Sequence, residues 1–387
     1  MDSSGSIYKG RLSHCHQEMQ ARPDPALTFQ STPTESNGTM TSKAPLPNEK
    51  RQAFYDRLSP HAMAPLWEVL RAMITPEPRP KTVPHCWPYK TVRPLLLESG
   101  ELLTAEEAER RVLMLENPAL PGQARATSTL YAGIQLILPG ETAPAHRHTP
   151  SALRFMIEGE HGFTAVGGER TTMREGDLVI TPSWAWHDHG NEGTEPVAWL
   201  DGLDIPIVEF FEAMFLEGHN AMRQSTTRPA GDSAARFGSG LLPLSAESPY
   251  GATSPIFNYP YERTREALLT AARGEAPDAH LGTTLRYANP IDGGWAMPTM
   301  STWLTYVPRG GALKAVRSTD GMIAHVVEGN GTIHVGDKQF AVMPKDTLAI
   351  PSWHWRRLEA ASDLIVFFFS DRVVQEKLDL WRQELSS

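Results

Sequence analysis

The sequence predicts a mainly β protein built from two small double-sheet barrels of the jelly-roll type. The main observation is an internal repeat, in which a glycine spacing and a short Pro-Ser-Trp segment both recur. A second observation is the count of 32 prolines in 387 residues, which is typical of short strands and turns rather than of a helical bundle. Two copies of one strand set indicate two barrels joined by a linker. The repeated landmarks are Gly140 and Gly159, nineteen positions apart like Gly310 and Gly329, and residues 181–184, which resemble residues 350–353.

The region before the first barrel is expected to begin with a disordered tail and continue as helices. Residues 1–48 are rich in Ser, Thr, Pro and Asn and have no apolar period, which predicts disorder. Residues 49–125 form a predicted helical N-terminal segment, whose first helical stretch is interrupted by prolines. A second helix is predicted over residues 104–115, because Thr104 and Glu107 have the spacing of a capping box.

Short apolar segments between Gly and Pro residues define the strands of both barrels. The first barrel is predicted over residues 126–215 and the second over residues 285–371, joined by a helical linker at residues 216–284. An amphipathic pattern predicts a C-terminal helix within residues 372–387. The predicted strands are 130–138, 152–157, 162–166, 178–181 and 197–203 in the first barrel and 302–307, 322–327, 331–335, 347–350 and 364–369 in the second; predicted helices around the linker are 208–217 and 263–273.

Composition excludes several classes of function. A formal net charge of -9 argues against a nucleic-acid partner, which would require a basic face. The longest apolar run, residues 364–369, suits a buried strand and is too short to cross a membrane. The N-terminus lacks the apolar region of a secretory signal, and the two cysteines, Cys15 and Cys86, lie far apart. We therefore expect a cytoplasmic protein without a disulfide framework.

Three histidines predict a metal site in the first barrel. His146 and His148 alternate, so on a β-strand their side chains leave the same face. His187 follows a second strand that begins after a turn at Gly176. Three imidazoles from two strands can hold a metal ion without a further protein ligand. Core histidines or a structural zinc site are the alternatives, and a structural zinc ion would require a fourth protein ligand.

The motifs around these histidines resemble those of the cupin family. The family's first motif is a Gly, five residues, His-x-His, a Glu and a later Gly, and its second is a Gly, five residues, Pro, a Gly, His and Asn. Two positions depart from this pattern, since Ala152 stands in place of the Glu and Trp184 in place of the second motif's inner Gly. The matching positions are Gly140, His146, His148 and Gly159 in the first motif and Gly176, Pro182, His187 and Asn191 in the second.

The second copy has lost the metal ligands. The positions that correspond to the three histidines hold Val316, Ser318 and Arg356. Nearby histidines lie off the ligand positions and are expected to be packing or surface residues; these are His325, His334 and His354. The second barrel is therefore expected to be structural, an oligomerisation surface or a wall of the first site.

One intact and one altered barrel resemble the bicupin ring-cleaving dioxygenases, the family of gentisate and salicylate 1,2-dioxygenases. The resemblance covers residues 52–372 and includes residues 132–135, 184–191, 199–204 and 286–290. It implies Fe(II) held by the three histidines, with both atoms of O₂ inserted between C1 and C2 of gentisate to give maleylpyruvate. The loss of the carboxylate at Ala152 agrees with this chemistry, because three neutral ligands leave the ion its full charge and open positions for a chelating substrate.

The resemblance also assigns roles to residues around the metal. Arg154 would bind the substrate carboxylate, with either Arg110 or Arg111 as a second anion-binding arginine. His189 would hydrogen-bond the substrate and move a proton, although a fourth metal ligand or an exposed histidine stays open for it. The remaining expected positions are Gln135 and Asp201 as substrate or supporting contacts, Tyr131 and Gly133 as pocket-shaping residues where relatives often carry Trp and Ala, and Trp184 as a substrate contact.

Other substrates and other functions stay open at this point. Salicylate, 5-substituted salicylates and 1-hydroxy-2-naphthoate are alternative substrates within the same family. A non-catalytic bicupin would be expected to lose ligands in both barrels, and a metal-dependent decarboxylase or isomerase would normally keep the Glu at position 152. The family also implies a homotetramer, whose partners are a small aromatic hydroxy acid and O₂ rather than nucleic acid or membrane.

Overall fold

A computed structural model describes residues 48–387 except Ala246. The predicted disordered tail lies outside this range, apart from Asn48, where the first helix begins. The chain divides into two compact units, of which the first ends at Arg71 and the second begins at Ala72. Among the described residues, no helix is long and apolar enough to cross a membrane.

The first unit contains helix α1 (Asn48–Leu58) and most of helix α2 (Leu66–Met73), which a 3-10 turn at residues 59–61 separates. The helical prediction for this stretch is confirmed, and Pro60 and Pro65 lie in the break between the helices. The two helices contact each other through polar groups of aromatic residues. Trp67 Nε1 donates a hydrogen bond to the Tyr55 hydroxyl at 2.8 Å, and that hydroxyl donates to Glu68.

The second unit contains two antiparallel barrels, each made of two sheets. Before the first barrel lie β1 (His85–Trp87), α3 (Tyr89–Leu102) and α4 (Ala105–Ala108). The first barrel and its following segment contain β2 (Val112–Met114), β3 (Tyr131–Ile137), β4 (Thr142–His148), β5 (Ala152–Glu158), β6 (Gly162–Val166), β7 (Glu169–Met173), β8 (Leu178–Thr181), β9 (His187–Asn191), β10 (Val197–Leu203), α5 (Ile205–Phe210) and β11 (Leu216–Gly218).

The linker and the second barrel repeat this order. The elements are α6 (Asp232–Phe237), β12 (Asn258–Tyr259), α7 (Tyr261–Gly274), β13 (Thr283–Arg286), β14 (Ser301–Val307), β15 (Val316–Ser318), β16 (Met322–Glu328), β17 (Gly331–Val335), β18 (Lys338–Val342), β19 (Thr347–Ile350), β20 (Arg356–Ala360), β21 (Leu364–Ser370), α8 (Arg372–Lys377) and β22 (Gln383–Leu385). The first barrel has sheet orders β12-β8-β5-β10-β3-β2 and β11-β4-β9-β6-β7. The second has β1-β19-β16-β21-β14-β13 and β18-β17-β20-β15-β22. The mainly β, two-barrel fold is thus confirmed.

The strand and helix that precede one barrel in the sequence contact the other barrel, and this exchange occurs in both directions. Strand β1 pairs with β19 of the second barrel, and β12 pairs with β8 of the first. The backbone N–H of Tyr89, at the start of α3, donates to Asp346 in the second barrel, and that of Tyr261, at the start of α7, donates to Asp177 in the first, both at 2.8 Å. The internal repeat therefore extends beyond the strands to the flanking helices.

The barrels pack against each other through aromatic residues of their inner sheets. Phe155 on β5 stacks on Phe367 on β21 with ring centroids 4.2 Å apart. At Gly202, an added Cβ would lie 2.8 Å from the Phe369 ring, so the close approach requires glycine there. His325 is buried at this contact, 5.5 Å from Phe155, as a packing residue rather than a metal ligand.

Several predicted helices are shorter than the sequence pattern indicated. The capping box at Thr104 forms, but the helix it begins ends at Ala108, and β2 pairs with β3 instead. The helix predicted over 208–217 ends at Phe210, and β11 pairs with β4. The C-terminal helix ends at Lys377, and β22 pairs with β15. In all three cases, pairing with a neighbouring strand overrides the local helical pattern.

Candidate metal centre and active site

The three predicted histidines meet inside the first barrel. On the sheet that contains β4 and β9, His146 lies directly opposite His187, and His148 leaves β4 on the same face as His146. One nitrogen from each of the three rings can be chosen so that all three lie within 4.8 Å of one another. This arrangement suits one metal ion with three imidazole ligands.

Backbone carbonyls orient all three rings. Nδ1 of His148 and of His187 lies 2.7 Å and 2.8 Å from the carbonyl oxygens of Pro150 and Ala185, so each can donate its proton there and leave Nε2 facing the metal position. Nδ1 of His146 lies 3.1 Å from the carbonyl oxygen of Pro144, and an Arg110 guanidinium nitrogen contacts both nitrogens of this ring. Nε2 of His187 is buried with no hydrogen-bond partner among the described residues. The three residues therefore fit a metal ion.

Burial keeps the imidazoles neutral, which is the form that binds metals. Desolvation, with the nearby charge of Arg110, lowers the pKa of His146 to about 3. Desolvation lowers the pKa of His148 to about 4 and that of His187 well below its usual value. No proton has to leave these rings before an ion binds at neutral pH.

A row of three residues from the opposite sheet faces the interior of the same barrel. Asp201 on β10 lies between Gly133 on β3 and Arg154 on β5 in the strand register. Residues paired in this way point to the same face of a sheet. The charge of Arg154 contributes to lowering the pKa of all three metal-site histidines, in agreement with a side chain that faces them.

Arg154 and Asp201 form a buried pair of opposite charges. Nε of Arg154 lies 3.7 Å from Asp201, and a terminal nitrogen donates to Thr181 Oγ1 at 2.6 Å. Burial lowers the pKa of Arg154 to about 10 and raises that of Asp201 to about 6, because desolvation outweighs their attraction for both groups. Trp199 Nε1 donates to Asp201 at 2.9 Å and holds the carboxylate in place.

The structure distinguishes between the two adjacent arginines. Arg111 is buried away from the cluster, where it pairs with Glu141 at 2.8 Å. Arg110 points into the site, with a guanidinium nitrogen 3.0 Å from Nε2 of His146. Desolvation lowers the pKa of Arg110, while the charge of Asp201 acts in the opposite direction. Arg110 is therefore the arginine placed to contact a bound anion.

Two further predicted residues carry buried polar atoms without a partner among the described residues. His189 is buried beside His187, with ring centroids 5.4 Å apart, and its Nδ1 lies 2.7 Å from Thr164 Oγ1. Its Nε2 has no hydrogen-bond partner, and neither has Nε2 of the buried Gln135. Since buried polar groups normally have partners, these atoms indicate where a ligand binds. Thr164 and Thr181 were missed from the sequence. Thr164 pairs with His189 in the strand register, whereas Thr181 pairs with Ala152 and reaches Arg154 diagonally.

Tyr131 and Gly133 lie in contact at the start of β3. A Cβ at Gly133 would lie 2.8 Å from the Tyr131 hydroxyl and 2.6 Å from Val112 Cγ1. The glycine thus makes room for the tyrosine ring, and both residues shape the space over the Asp201 row. The position of Val112 was not considered in the sequence-based prediction.

Trp184 does not join the cluster. Its ring lies over the guanidinium of Arg147 at 4.6 Å and edge-on to Phe215 at 6.3 Å. Arg147 lies between His146 and His148 on β4, so its side chain leaves the face opposite the metal site. The expected substrate contact of Trp184 therefore disagrees with its placement on the outside of the barrel. Its φ of +61° explains why cupins usually carry glycine at this position.

Comparisons with known proteins agree with this geometry. Residues 133–203 match the cupin domain family. The chain is 48% identical over 342 residues to gentisate 1,2-dioxygenase 1 of Aquipseudomonas alcaligenes, covering 88% of this chain and 98% of that protein. It is 33% identical to a 5-aminosalicylate 1,2-dioxygenase of a Comamonas species, covering 86% of this chain and 89% of that protein.

A solved structure shares the whole architecture. The crystal structure of salicylate 1,2-dioxygenase from Pseudoaminobacter salicylatoxidans with gentisate superposes with a TM-score of 0.84 at 32% identity, covering 90% of this chain and 97% of that chain. The three-histidine metal site, the two barrels and this coverage lead to one conclusion. The chain belongs to the gentisate and salicylate 1,2-dioxygenase family of bicupin ring-cleaving dioxygenases.

Proposed function

We propose that this enzyme inserts both atoms of O₂ between C1 and C2 of gentisate and releases maleylpyruvate, using one Fe(II) ion held by His146, His148 and His187. The observation that carries the proposal is the three-histidine cluster surrounded by buried, unpaired polar atoms inside one barrel. Sequence identity of 48% to a gentisate 1,2-dioxygenase, over almost the full length of that protein, supports gentisate as the substrate.

Three neutral ligands suit this reaction. They leave the ion its full positive charge and free coordination positions, because no protein carboxylate occupies the position of Ala152. When bound, Fe(II) would supply a Lewis acid that the carboxylate and ortho hydroxyl of the substrate can chelate, and a path for electrons from the ring to O₂.

The arginines bind and orient the substrate. Arg154 is desolvated and its Nε has no hydrogen-bond partner among residues 48–387, so a carboxylate gains a charge-assisted bond there. Asp201 positions Arg154 from the side and offsets part of its buried charge. Arg110 approaches from the His146 side and adds a second cation, so that an anionic aromatic acid is favoured over a neutral one.

His189 and Gln135 complete the polar contacts. Thr164 holds Nδ1 of His189, which leaves Nε2 free to hydrogen-bond a ring hydroxyl and to hold or release its proton. The amide of Gln135 can donate to a substrate oxygen from the opposite sheet. Tyr131 and Gly133 limit the space available to the ring.

The cellular setting follows from the same proposal. We expect a cytoplasmic homotetramer, since a reducing compartment keeps the ion ferrous. A group of exposed apolar side chains between α5 and β11 supports self-association. These residues are Phe210, Phe211, Met214, Phe215 and Leu216.

Oxygen uptake tests the proposal and its alternatives together. The full chain is loaded with Fe(II) without oxygen and then given ¹⁸O₂ with gentisate, salicylate, 5-aminosalicylate or 1-hydroxy-2-naphthoate. We expect turnover of gentisate with two labelled oxygen atoms in the product. Faster turnover of a salicylate or a naphthoate would show that this compound, and not gentisate, is the preferred substrate. A product with only one labelled atom, or no oxygen uptake despite bound iron, would contradict dioxygenase activity.

A further inference from the structure

The second barrel contains a cavity at the position that corresponds to the metal site of the first. Its volume is about 460 Å³, within the range of small-molecule sites. The sheet register establishes the correspondence, since Val316 pairs with Arg356 as His146 pairs with His187. On the other sheet, Trp303 pairs with Phe368 as Gly133 pairs with Asp201. All four of these second-barrel residues line the cavity.

Arg356 brings a positive charge into this cavity. One terminal nitrogen donates to Ser318 Oγ at 3.1 Å, and no acidic oxygen of the described residues lies within 4.0 Å of the guanidinium. Desolvation lowers the pKa of Arg356, with a further contribution from the charge of Arg372, while Asp320 acts in the opposite direction. A cation held in this way gains more from a bound anion than a solvated surface arginine does.

Aromatic rings form much of the remaining wall. Trp303 and Phe368 are stacked, with ring centroids 5.2 Å apart and planes 9° from parallel. Trp295 and Trp381 lie further along the wall, where the Arg372 guanidinium lies 3.9 Å from the Trp381 ring. Flat rings beside a guanidinium suit a planar ligand that is apolar on its faces and anionic at one end.

The other charged groups around the cavity leave it net positive. Arg286, Arg356 and Arg372 line it together with one carboxylate, Asp320, which accepts a hydrogen bond from Trp381 Nε1 at 3.0 Å. Glu376 pairs with Arg372 at 2.6 Å and compensates that one arginine. This local balance contrasts with the net charge of -9 of the whole chain.

We propose that the second barrel binds a small aromatic carboxylate in this cavity, with Arg356 contacting its carboxylate and the Trp303–Phe368 wall contacting its ring. The site needs no metal and is separate from the ring-cleaving site. The loss of the three histidines thus exchanges a metal site for an anion site in the same place in the barrel.

Benzoate is the probe, because it has a carboxylate and a ring but no ortho hydroxyl with which to chelate iron. Isothermal titration uses the metal-free full chain carrying Arg154→Leu and Arg110→Leu, which removes both anion-binding arginines of the first barrel. We expect one benzoate to bind per chain. Adding Arg356→Leu should weaken this binding at least tenfold. Arg357→Leu is the matched control, because Arg357 is the next residue on β20, pairs with Glu359 on the other face and should have no effect.

A second variant covers the case in which Arg356→Leu does not fold. Val316→Phe fills the cavity and should also abolish binding, while oxygen uptake in a chain with Arg110 and Arg154 intact reports folding of each variant. The proposal is overturned if benzoate does not bind when the first barrel lacks Arg110 and Arg154, or if it binds equally well to folded Arg356→Leu or Val316→Phe. If inorganic phosphate binds this cavity as tightly as benzoate does, the assignment of an aromatic carboxylate as the ligand is overturned.

Discussion

The two barrels share an outer framework and differ in what lies inside. In the first, Arg147 lies 4.6 Å from the ring centres of both Trp184 and Trp186; in the second, Arg317 lies 4.5 Å from Trp353 and 4.9 Å from Trp355. In each barrel one of the two tryptophans beside the arginine has a positive φ, +61° at Trp184 and +59° at Trp353. The strand that carries the metal ligands is therefore anchored from outside, by contacts that do not depend on the metal.

Because the framework is independent of the ligands, the interior of one copy could change without loss of the fold. Three positions separate a metal site from a site without metal ligands: His146, His148 and His187 against Val316, Ser318 and Arg356. The paired barrels thus provide matched controls, in which a substitution in one can be compared with its equivalent in the other. The predictions below use this comparison, from the largest expected effect to the smallest.

Removal of a metal ligand has the largest expected effect. His146→Ala should abolish metal binding and reduce turnover on the order of 10³-fold or more, because two imidazoles no longer define the site. Val316→Ala, at the equivalent position of the second barrel, should leave the metal content at one ion per chain. Elemental analysis of both variants measures this. Turnover retained by an iron-depleted preparation of His146→Ala would contradict the assignment.

Removal of the buried arginine should damage substrate recognition but leave the metal in place. Arg154→Leu is expected to lower kcat/KM on the order of 10²–10³-fold, since it removes the carboxylate contact and leaves Asp201 buried without its partner. Arg174→Leu, at an exposed arginine in the turn after β7, is the matched control and should have no effect. Unchanged kcat/KM in Arg154→Leu with full metal content would remove Arg154 from the site.

Asp204 and Asp371, which occupy equivalent positions in the two barrels, should contribute differently to the pH dependence of the free energy of unfolding. Burial and the nearby Asp320 raise the pKa of Asp371 to about 7, and burial raises that of Asp204 to about 6. The folded protein keeps a proton that the unfolded chain, with a pKa near 3.9, releases, so this contribution to stability is present at low pH and is lost as the pH rises through the folded pKa.

Asparagine mimics the protonated acid at either position. Asp371→Asn should therefore gain stability relative to the parent chain as the pH rises from 4 to 8, by up to about 4 kcal/mol. Asp204→Asn should show a smaller gain that is complete about one pH unit earlier. Urea unfolding midpoints at intervals across this range measure both. A constant difference between Asp371→Asn and its parent would show that Asp371 is already ionised at low pH.

A substitution at Gly133 should have the smallest effect, a change in substrate preference. The added methyl of Gly133→Ala must displace both the Val112 side chain and the Tyr131 ring, and one methyl group in a pocket changes discrimination by about 10-fold. The measurement is the ratio of kcat/KM for gentisate to that for 1-hydroxy-2-naphthoate. The added changes Tyr131→Phe and Val112→Ala together remove both clashing groups and should restore the ratio. An unrestored ratio in this triple variant would exclude the two contacts as the cause.

The sequence predicted those parts of the fold and site in which local pattern and final pairing agree. Strands β6, β8 and β10 begin and end where the apolar segments between Gly and Pro residues predicted. The three histidines form the metal site because alternation places His146 and His148 on one face. The pattern failed where a distant partner decides the structure. Helix α3, which contains Pro94, lies in the segment predicted to be helical but was not predicted as an individual helix, and its N-terminus is held by Asp346.

The site residues show the same limit. The sequence could not choose between Arg110 and Arg111, because the choice depends on Glu141, which binds Arg111 and leaves Arg110 to the cluster. Trp184 was expected beside the substrate, but the alternation of β4 directs its partner Arg147 outward. The contact between the Tyr131 hydroxyl and Gly133 is a matter of three-dimensional packing, which sequence spacing does not specify.

Anaerobic titration of the metal-free enzyme with Fe(II), followed by oxygen uptake with gentisate, tests the difference between the barrels most directly. Activity should rise linearly to one Fe(II) per chain and then stay constant, because only the first barrel holds three imidazoles. Activity that continues to rise to a second equivalent would contradict the account, since it would place a working metal site outside His146, His148 and His187.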